Sequence, residues 1–197
     1  MYLASASPRR GALLEQIGVP FEVWPAEVSE SRRSCELPSA YVDRVARAKA
    51  SKIWNEFAAG QDRPVLAADT AVVVDGQVLG KPRDAEDALH MLARLSGRSH
   101  HVLTAVVVHH GERVLSEIST SEVRFRATTE RERVAYVATG EPLDKAGSYA
   151  IQGMGAVFIE HISGSYSAVM GLPVALTAML LAEFGLPAWL HASGDTA

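Results

Sequence analysis

Val65-Leu66-Ala67-Ala68-Asp69-Thr70-Ala71-Val72-Val73-Val74-Asp75-Gly76-Gln77-Val78-Leu79 is the stretch that decides the fold. Its first four residues form an unbroken apolar run, the pattern of a strand buried on both faces, and the run ends at Asp69-Thr70. Val72 to Leu79 then reads as a hairpin, because Asp75-Gly76 is the dipeptide that a tight two-residue turn needs. A second and longer hairpin, Val102 to Val108 and Val114 to about Phe125, turns at His110-Gly111. A buried strand beside two hairpins requires a mixed sheet rather than a purely parallel one.

Toward the N-terminus, Tyr2 to Ser5 reads as a short buried strand. Ser7-Pro8 supplies an N-cap and a proline at the first helical position, and Gly18 ends that helix. Ser5, Ser7, Arg9 and Arg10 therefore share one strand-to-helix turn. Phe21 to Trp24 is a second short strand, and Glu27 to Pro38 is polar and irregular, with Glu30 inside it. Ser39 can cap a helix running to about Phe57. Val42, Val45, Ala46, Lys49 and Ile53 fall on one stripe of that helix, so a lysine stands where the pattern wants a core residue. It either pairs with an anion or snorkels to the rim.

Toward the C-terminus, Asp84 caps a helix that stops at Ser96-Gly97, and the Thr129 to Glu132 capping box opens another that stops near Gly140. Val157 to Ile159 reads as a strand. Pro173 to Phe184 reads as an amphipathic helix stopped by Gly185 and Pro187, with a tail from Ala192 expected to fray. No repeat or linker interrupts the chain, so residues 1–197 are expected to form one domain. The expected class is α/β (α+β), with a mixed, largely antiparallel central sheet and flanking helices.

With 197 residues, 48% hydrophobic and 21% charged, the composition is that of a soluble globular domain. The net charge of −4 repels polyanions, which excludes a nucleic-acid-coating protein and requires any phosphate site to be built from locally clustered Arg and Lys. The single cysteine, Cys35, excludes a disulfide framework and a cysteine-rich zinc module. No basic leader and no apolar run of the ~20 residues that span a bilayer is present, so no membrane partner is expected and the cytoplasm is the expected compartment. The phosphate loop, the dinucleotide turn, the His-Glu-x-x-His helix and the Gly-x-Ser-x-Gly elbow are all missing. The pairs His100-His101 and His109-His110 cannot chelate one ion, because neighbours on a strand point to opposite faces.

The remaining candidates are polar residues where strands are expected to end. Ser5-Ala6-Ser7-Pro8-Arg9-Arg10 offers hydroxyls, helix amides and two guanidiniums, an oxyanion cradle or, equally, a cap with surface arginines. Asp69 after four apolar residues needs a metal, a basic partner or a shell of donors, unless it is a turn aspartate satisfied locally. Lys81 is either held in a restrained loop between Gly80 and Pro82 or a solvated loop lysine. Gly147-Ser148-Tyr149-Ala150-Ile151-Gln152-Gly153 fits either the lining of a base pocket or a structural turn.

Together these segments resemble the Maf family of nucleoside triphosphate pyrophosphatases, from Leu3 to about Leu181. The likeness rests on Leu3 to Arg10, Glu30, Ala46-Arg47-Ala48-Lys49-Ala50, Ala68-Asp69-Thr70, Gly80-Lys81-Pro82, Leu95-Ser96-Gly97-Arg98, Asp144-Lys145-Ala146-Gly147, Ile151-Gln152-Gly153 and Gly171-Leu172-Pro173, in that order. The resemblance implies a fold like that of the inosine triphosphate pyrophosphatases, with two lobes around a nucleotide cleft, a divalent cation (Mg²⁺ or Mn²⁺) and commonly a homodimer. It implies a nucleoside triphosphate substrate, Asp69 as proton acceptor, Glu30 and Asp69 on the metal, and Ser5, Ser7, Arg9, Lys49 and Lys81 on the phosphates. Arg10, Thr70 and Gln152 match the branch acting on dTTP and UTP rather than the one acting on 7-methyl-GTP. Family members have also been linked to septum formation and arrest of cell division, so the alternative is a nucleotide-binding regulator with little turnover.

Overall fold

The computed structural model describes residues 1–61 and 63–189. In chain order its elements are β1 (Tyr2–Leu3), α1 (Pro8–Gln16), β2 (Glu22–Val23), α2 (Pro38–Ile53), β3 (Val65–Val74) and β4 (Gln77–Leu79). There follow α3 (Ala85–Leu95), β5 (Ser99–His110), β6 (Arg113–Phe125), α4 (Glu130–Val137), β7 (Ile159–Ser163), α5 (Tyr166–Met170) and α6 (Val174–Ala182). The strands pair in the order β2-β1-β3-β5-β6-β7, with β4 against β3. β1 runs parallel to β2 and β3, whereas β4 and β7 run antiparallel to β3 and β6, so the sheet is mixed as expected. Among the described residues no helix is long and apolar enough to cross a membrane.

The chain packs as two compact units. The first comprises Met1–Asp69, Thr104–Ser119 and the chain from Gly171 onward. Its core includes Leu3, Leu14, Val42, Val45, Val65, Leu66, Leu172 and Leu181, all fully buried and each stabilising by about 1.5–3 kcal/mol on burial. The second comprises Thr70–Leu103 and Thr120–Met170. Its core gathers Val72, Leu92, Leu95, Val123, Phe125, Tyr149 and Phe158.

Locally coded features stand where the residues place them. Asp75 and Gly76 both take positive φ, 52° and 70°, as a two-residue hairpin turn requires. Asp84 accepts from the Asp87 amide at the start of α3, and Thr129 and Glu132 form the reciprocal capping box of α4.

Other expectations are corrected. α2 is capped by Leu37, not Ser39, because Pro38 already has the φ of a first helical residue and starts the helix earlier. After Ile53 the chain widens into a π-turn, Trp54–Ala58, with Trp54 stacked on His109 and Phe57 on Trp24. Met154–Phe158 is a 3₁₀ turn, so the strand expected at Val157 begins at Ile159 instead, once the Phe158 ring is buried against Phe125 and Tyr136. α6 is apolar around its whole circumference rather than amphipathic, and it leaves Met179 69% exposed. The tail expected to fray lies outside the described residues.

Candidate active site

Ser7 occupies the N-cap of α1 with Pro8 just inside, but its side chain makes no capping bond. Ser5 Oγ organises the turn instead. It accepts from the Ser7 amide at 3.2 Å and from Arg10 Nη1 at 3.0 Å. Arg10 Nε donates to the Gly171 carbonyl at 2.8 Å, which carries the guanidinium inside rather than onto the surface. Burial lowers the Arg10 pKa, and the charges of Asp69 and Glu30 oppose that shift while Arg9 adds to it. Arg9 is half-buried, and no acidic residue stands in the first turn of α1 to offset the positive end of the helix.

Lys49 is buried on the apolar stripe of α2, with Val42, Val45, Ala46 and Ile53 buried beside it. Of the two readings of that stripe, pairing is the one realised. Nζ lies 2.8 Å from Asp69 Oδ1 and 2.6 Å from Glu30 Oε1. Asp69 does not end a strand, as the residue pattern suggested. It sits inside β3, only 6% exposed, between buried Ala68 and half-buried Thr70. A carboxylate is tolerated in mid-strand because the ammonium answers it there. Burial pushes the Asp69 carboxyl above its ordinary pKa, and Lys49 and Arg10 only partly reverse the shift. A carboxylate so raised is a stronger base than a solvated one.

Glu30 comes from the irregular segment before α2, and residues absent from the sequence argument hold that segment. Tyr41 Oη donates to the Glu30 carbonyl at 3.0 Å. Arg44 makes a two-pronged pair with Glu36, at 2.5 and 2.9 Å, and also donates to the Ser31 carbonyl at 3.1 Å. Lys52 Nζ donates to the Glu27 carbonyl at 2.8 Å. α2 thus supplies Lys49 from one face and the supports of Glu30 from another. The only signal in the sequence was an acid at 36 and a base at 44 flanking a helix start. Burial raises the Tyr41 phenol to about 12, reinforced by the charges of Asp69 and Glu30. Cys35 is exposed at a positive φ of 58° and takes no part.

The structure therefore brings Ser5, Arg10, Glu30, Lys49 and Asp69 together within the first unit, with Ser7 and Arg9 on the same turn as Ser5. Thr70, Lys81 and Gln152 belong to the second unit. Lys81 is exposed in a bend whose Gly80 carbonyl accepts from the Gly147 amide at 3.0 Å. Gln152 is exposed on the glycine-rich segment after Tyr149.

Among the described residues no three His, Cys, Asp or Glu side chains gather as a metal cluster. The Glu30 and Asp69 carboxylates nevertheless converge on one cation, the Lys49 ammonium. Two carboxylates are a hard-oxygen donor set that fits Mg²⁺ or Mn²⁺, ions that take the rest of their shell from phosphates and water.

The chain is similar to known proteins along most of its length. A protein of Chromobacterium violaceum named dTTP/UTP pyrophosphatase is 50% identical over 187 residues, covering 94% of each chain. One of Shigella sonnei with the same name is 49% identical over 184 residues, covering 93% of this chain and 92% of its own. A solved structure of a nucleoside-triphosphatase / dITP/XTP pyrophosphatase from Mycobacterium abscessus is 16% identical over 94% of both chains with a TM-score of 0.44, a likeness that decides nothing. The model of the Maf-like proteins matches residues 1–184, and with half its residues shared with such relatives over nearly their full length, this chain belongs to that family.

Proposed function

We propose that the chain hydrolyses nucleoside triphosphates, dTTP and UTP above all, to the monophosphate and pyrophosphate. The observation that carries this is the buried Lys49–Asp69 pair, with Glu30 on the same ammonium, in a chain about half identical to relatives named for that activity. Cleavage between the α and β phosphates needs a water placed in line with the departing pyrophosphate, a base for its proton and positive charge on the phosphates.

Asp69 is the base. Its carboxylate, raised by burial, takes one water proton while the water oxygen bonds to the α phosphorus and the bond to the β-phosphate oxygen breaks. Arg9, the amides that open α1 and the hydroxyls of Ser5 and Ser7 bind phosphate oxygens. Arg10 is held in place by its bonds to Ser5 and Gly171. Lys49 holds Asp69 and Glu30 in place and lends its charge to the phosphates, and Lys81 adds another. Glu30 and Asp69 would hold a Mg²⁺ or Mn²⁺ ion, which when bound neutralises phosphate charge and favours deprotonation of water. Gln152, with a donor and an acceptor on one amide, reads the imide edge of a pyrimidine, and Thr70 and Arg10 are assigned to the same discrimination. A homodimer and a cytoplasmic location complete the proposal.

The deciding experiment incubates the protein with dTTP, UTP, ATP, GTP and 7-methyl-GTP in Mg²⁺ or Mn²⁺ and resolves pyrophosphate from phosphate. Pyrophosphate release fastest from dTTP and UTP is expected. Binding without turnover would return the chain to the regulator reading, and a higher kcat/KM for 7-methyl-GTP than for UTP would overturn the choice of base.

A further inference from the structure

Gln152 lies in the six-residue segment from Ala150 to Gly155, and a device from outside the segment holds it. Tyr136, buried near the end of α4, accepts from the Ala150 amide at 3.1 Å and donates through the same oxygen to Glu141 Oε1 at 2.7 Å. Glu141 Oε2 accepts from the Met154 amide at 2.9 Å, and Oε1 accepts from the Gly155 amide at 3.0 Å. One phenol and one carboxylate thus fasten the amides on both sides of Gln152. The backbone is shaped to meet them: a Cβ on Gly153 would be built into the Glu141 carboxylate, and one on Gly155 would stand 2.7 Å from the Tyr136 oxygen. Glu141 itself is placed by the turn at Gly140, whose φ is 78°, and Lys145 Nζ donates to its carbonyl at 3.3 Å.

We propose that Tyr136 and Glu141 are positioning residues for base selection, clamping the Ala150–Gly155 loop in the shape that presents Gln152 to a pyrimidine. This rests on the assignment of Gln152 to the base. Neither clamp residue touches the substrate. Their effect is to spare the loop the cost of being ordered when a nucleotide arrives, so their loss is felt in binding of the favoured base more than in the chemical step. The Glu141 carboxylate receives three donors under a segment whose exposed side chains are Gln152 and Met154, and of these two only the Gln152 amide can hydrogen-bond a base edge.

The test is steady-state kinetics of the full chain with UTP and ATP, comparing wild type with Gln152→Ala, Tyr136→Phe, Glu141→Gln, Gly153→Ala and the double variant Gln152→Ala/Tyr136→Phe. Gln152→Ala is expected to raise KM for UTP about tenfold and to shrink the preference for UTP over ATP, as loss of a paired polar contact does. Tyr136→Phe, Glu141→Gln and Gly153→Ala should reproduce that pattern, with kcat held within about threefold. The double variant should be no worse than Gln152→Ala alone, because both changes act through one side chain. If Gln152→Ala shifts the preference and the clamp variants do not, or if their effects add to it, the clamp is wrong and the base assignment stands. An unchanged preference in Gln152→Ala removes both. Should Glu141→Gln fail to fold, Tyr136→Phe, which keeps its ring against Phe158, and Gly153→Ala decide the matter.

Discussion

Asp69 and Glu141 are both carboxylates gripped by close donors, yet their acidities move in opposite directions. Asp69 lies inside a strand, faces a lysine, and is pushed up because burial outweighs its charged partners. Glu141 lies in a half-buried turn, where burial also pushes upward, but the amides of Met154 and Gly155 and the Tyr136 hydroxyl prevail and hold it below the ordinary value. The difference separates two uses of one functional group. Amide and hydroxyl donors satisfy a carboxylate and quieten it as a base, which suits a fastening. Burial that outweighs its charged partners leaves the carboxylate ready to accept a proton, which suits catalysis.

The sharpest way to break this contrast is Asp69→Asn. Turnover should fall by about a hundredfold or more, the usual cost of a missing general base, while the fold survives because Glu30 still answers Lys49. More than about a tenth of the wild-type rate of pyrophosphate release would remove Asp69 from its role.

Lys49→Leu comes next, with an expected loss of about tenfold or more in kcat/KM as a charge-assisted contact to phosphate disappears. Leucine suits the apolar stripe, and Asp69, deprived of its ammonium, takes up a proton rather than staying charged in the core. Melting in a chelating buffer checks this. The variant should stand closer to wild type, or above it, at pH 5 than at pH 8, and a deficit independent of pH would refute it.

Glu30→Gln should weaken apparent metal affinity several-fold while KM for nucleotide changes less, because one of two hard oxygen ligands is lost. Identical metal titrations for variant and wild type would take Glu30 out of the ion's shell.

The smallest effect is on stability, and its sign distinguishes the two carboxylates. Glu141, with its pKa lowered on folding, contributes stability above the unfolded value of about 4.3 that is lost as pH falls through the folded value. Glu141→Gln should therefore melt about 2–4 °C below wild type at pH 7, the shift expected for ~1 kcal/mol in a chain of this size, and the gap should close in acid. Asp69, with its pKa raised, has the opposite linkage: its contribution is present below about 3.9 and lost as pH rises through the folded value. Asp69→Asn should therefore show no corresponding deficit at pH 7. Parallel melting curves for the two variants across pH would erase the distinction.

Much of this could be read from the residues because it is coded within a few positions. Pro8, Asp75-Gly76, Asp84 and the Thr129–Glu132 box act on their own backbone, and each stands where local rules put it. The misplaced lysine on the α2 stripe also pointed the right way, since a cation among buried aliphatics demands an anion. What stayed hidden depends on partners far along the chain. Asp69 looked like a strand end because an unpaired aspartate breaks a strand, and its partner lies 20 residues back on a helix. Arg10 reads equally as a cradle cation or a surface residue because its acceptor, the Gly171 carbonyl, is 161 residues away. Tyr136 and Glu141 gave no signal at all, since their spacing of five fits neither a helix face nor a strand face, and the amides they hold carry no side-chain signature.

The two glycines beneath the Glu141 carboxylate also limit what laboratory evolution can do with this loop. Of the side chains from Ala150 to Gly155, only those at Gln152 and Met154 are exposed; Ala150 and Ile151 are packed inside, and no side chain fits at 153 or 155 without evicting the carboxylate or crowding the phenol. A library that randomises all six positions would spend most of its members on unfastened loops. A library of 152 and 154 alone samples nearly all the chemical variety the scaffold tolerates, and a change of preferred base obtained without touching the backbone is to be sought at those two sockets.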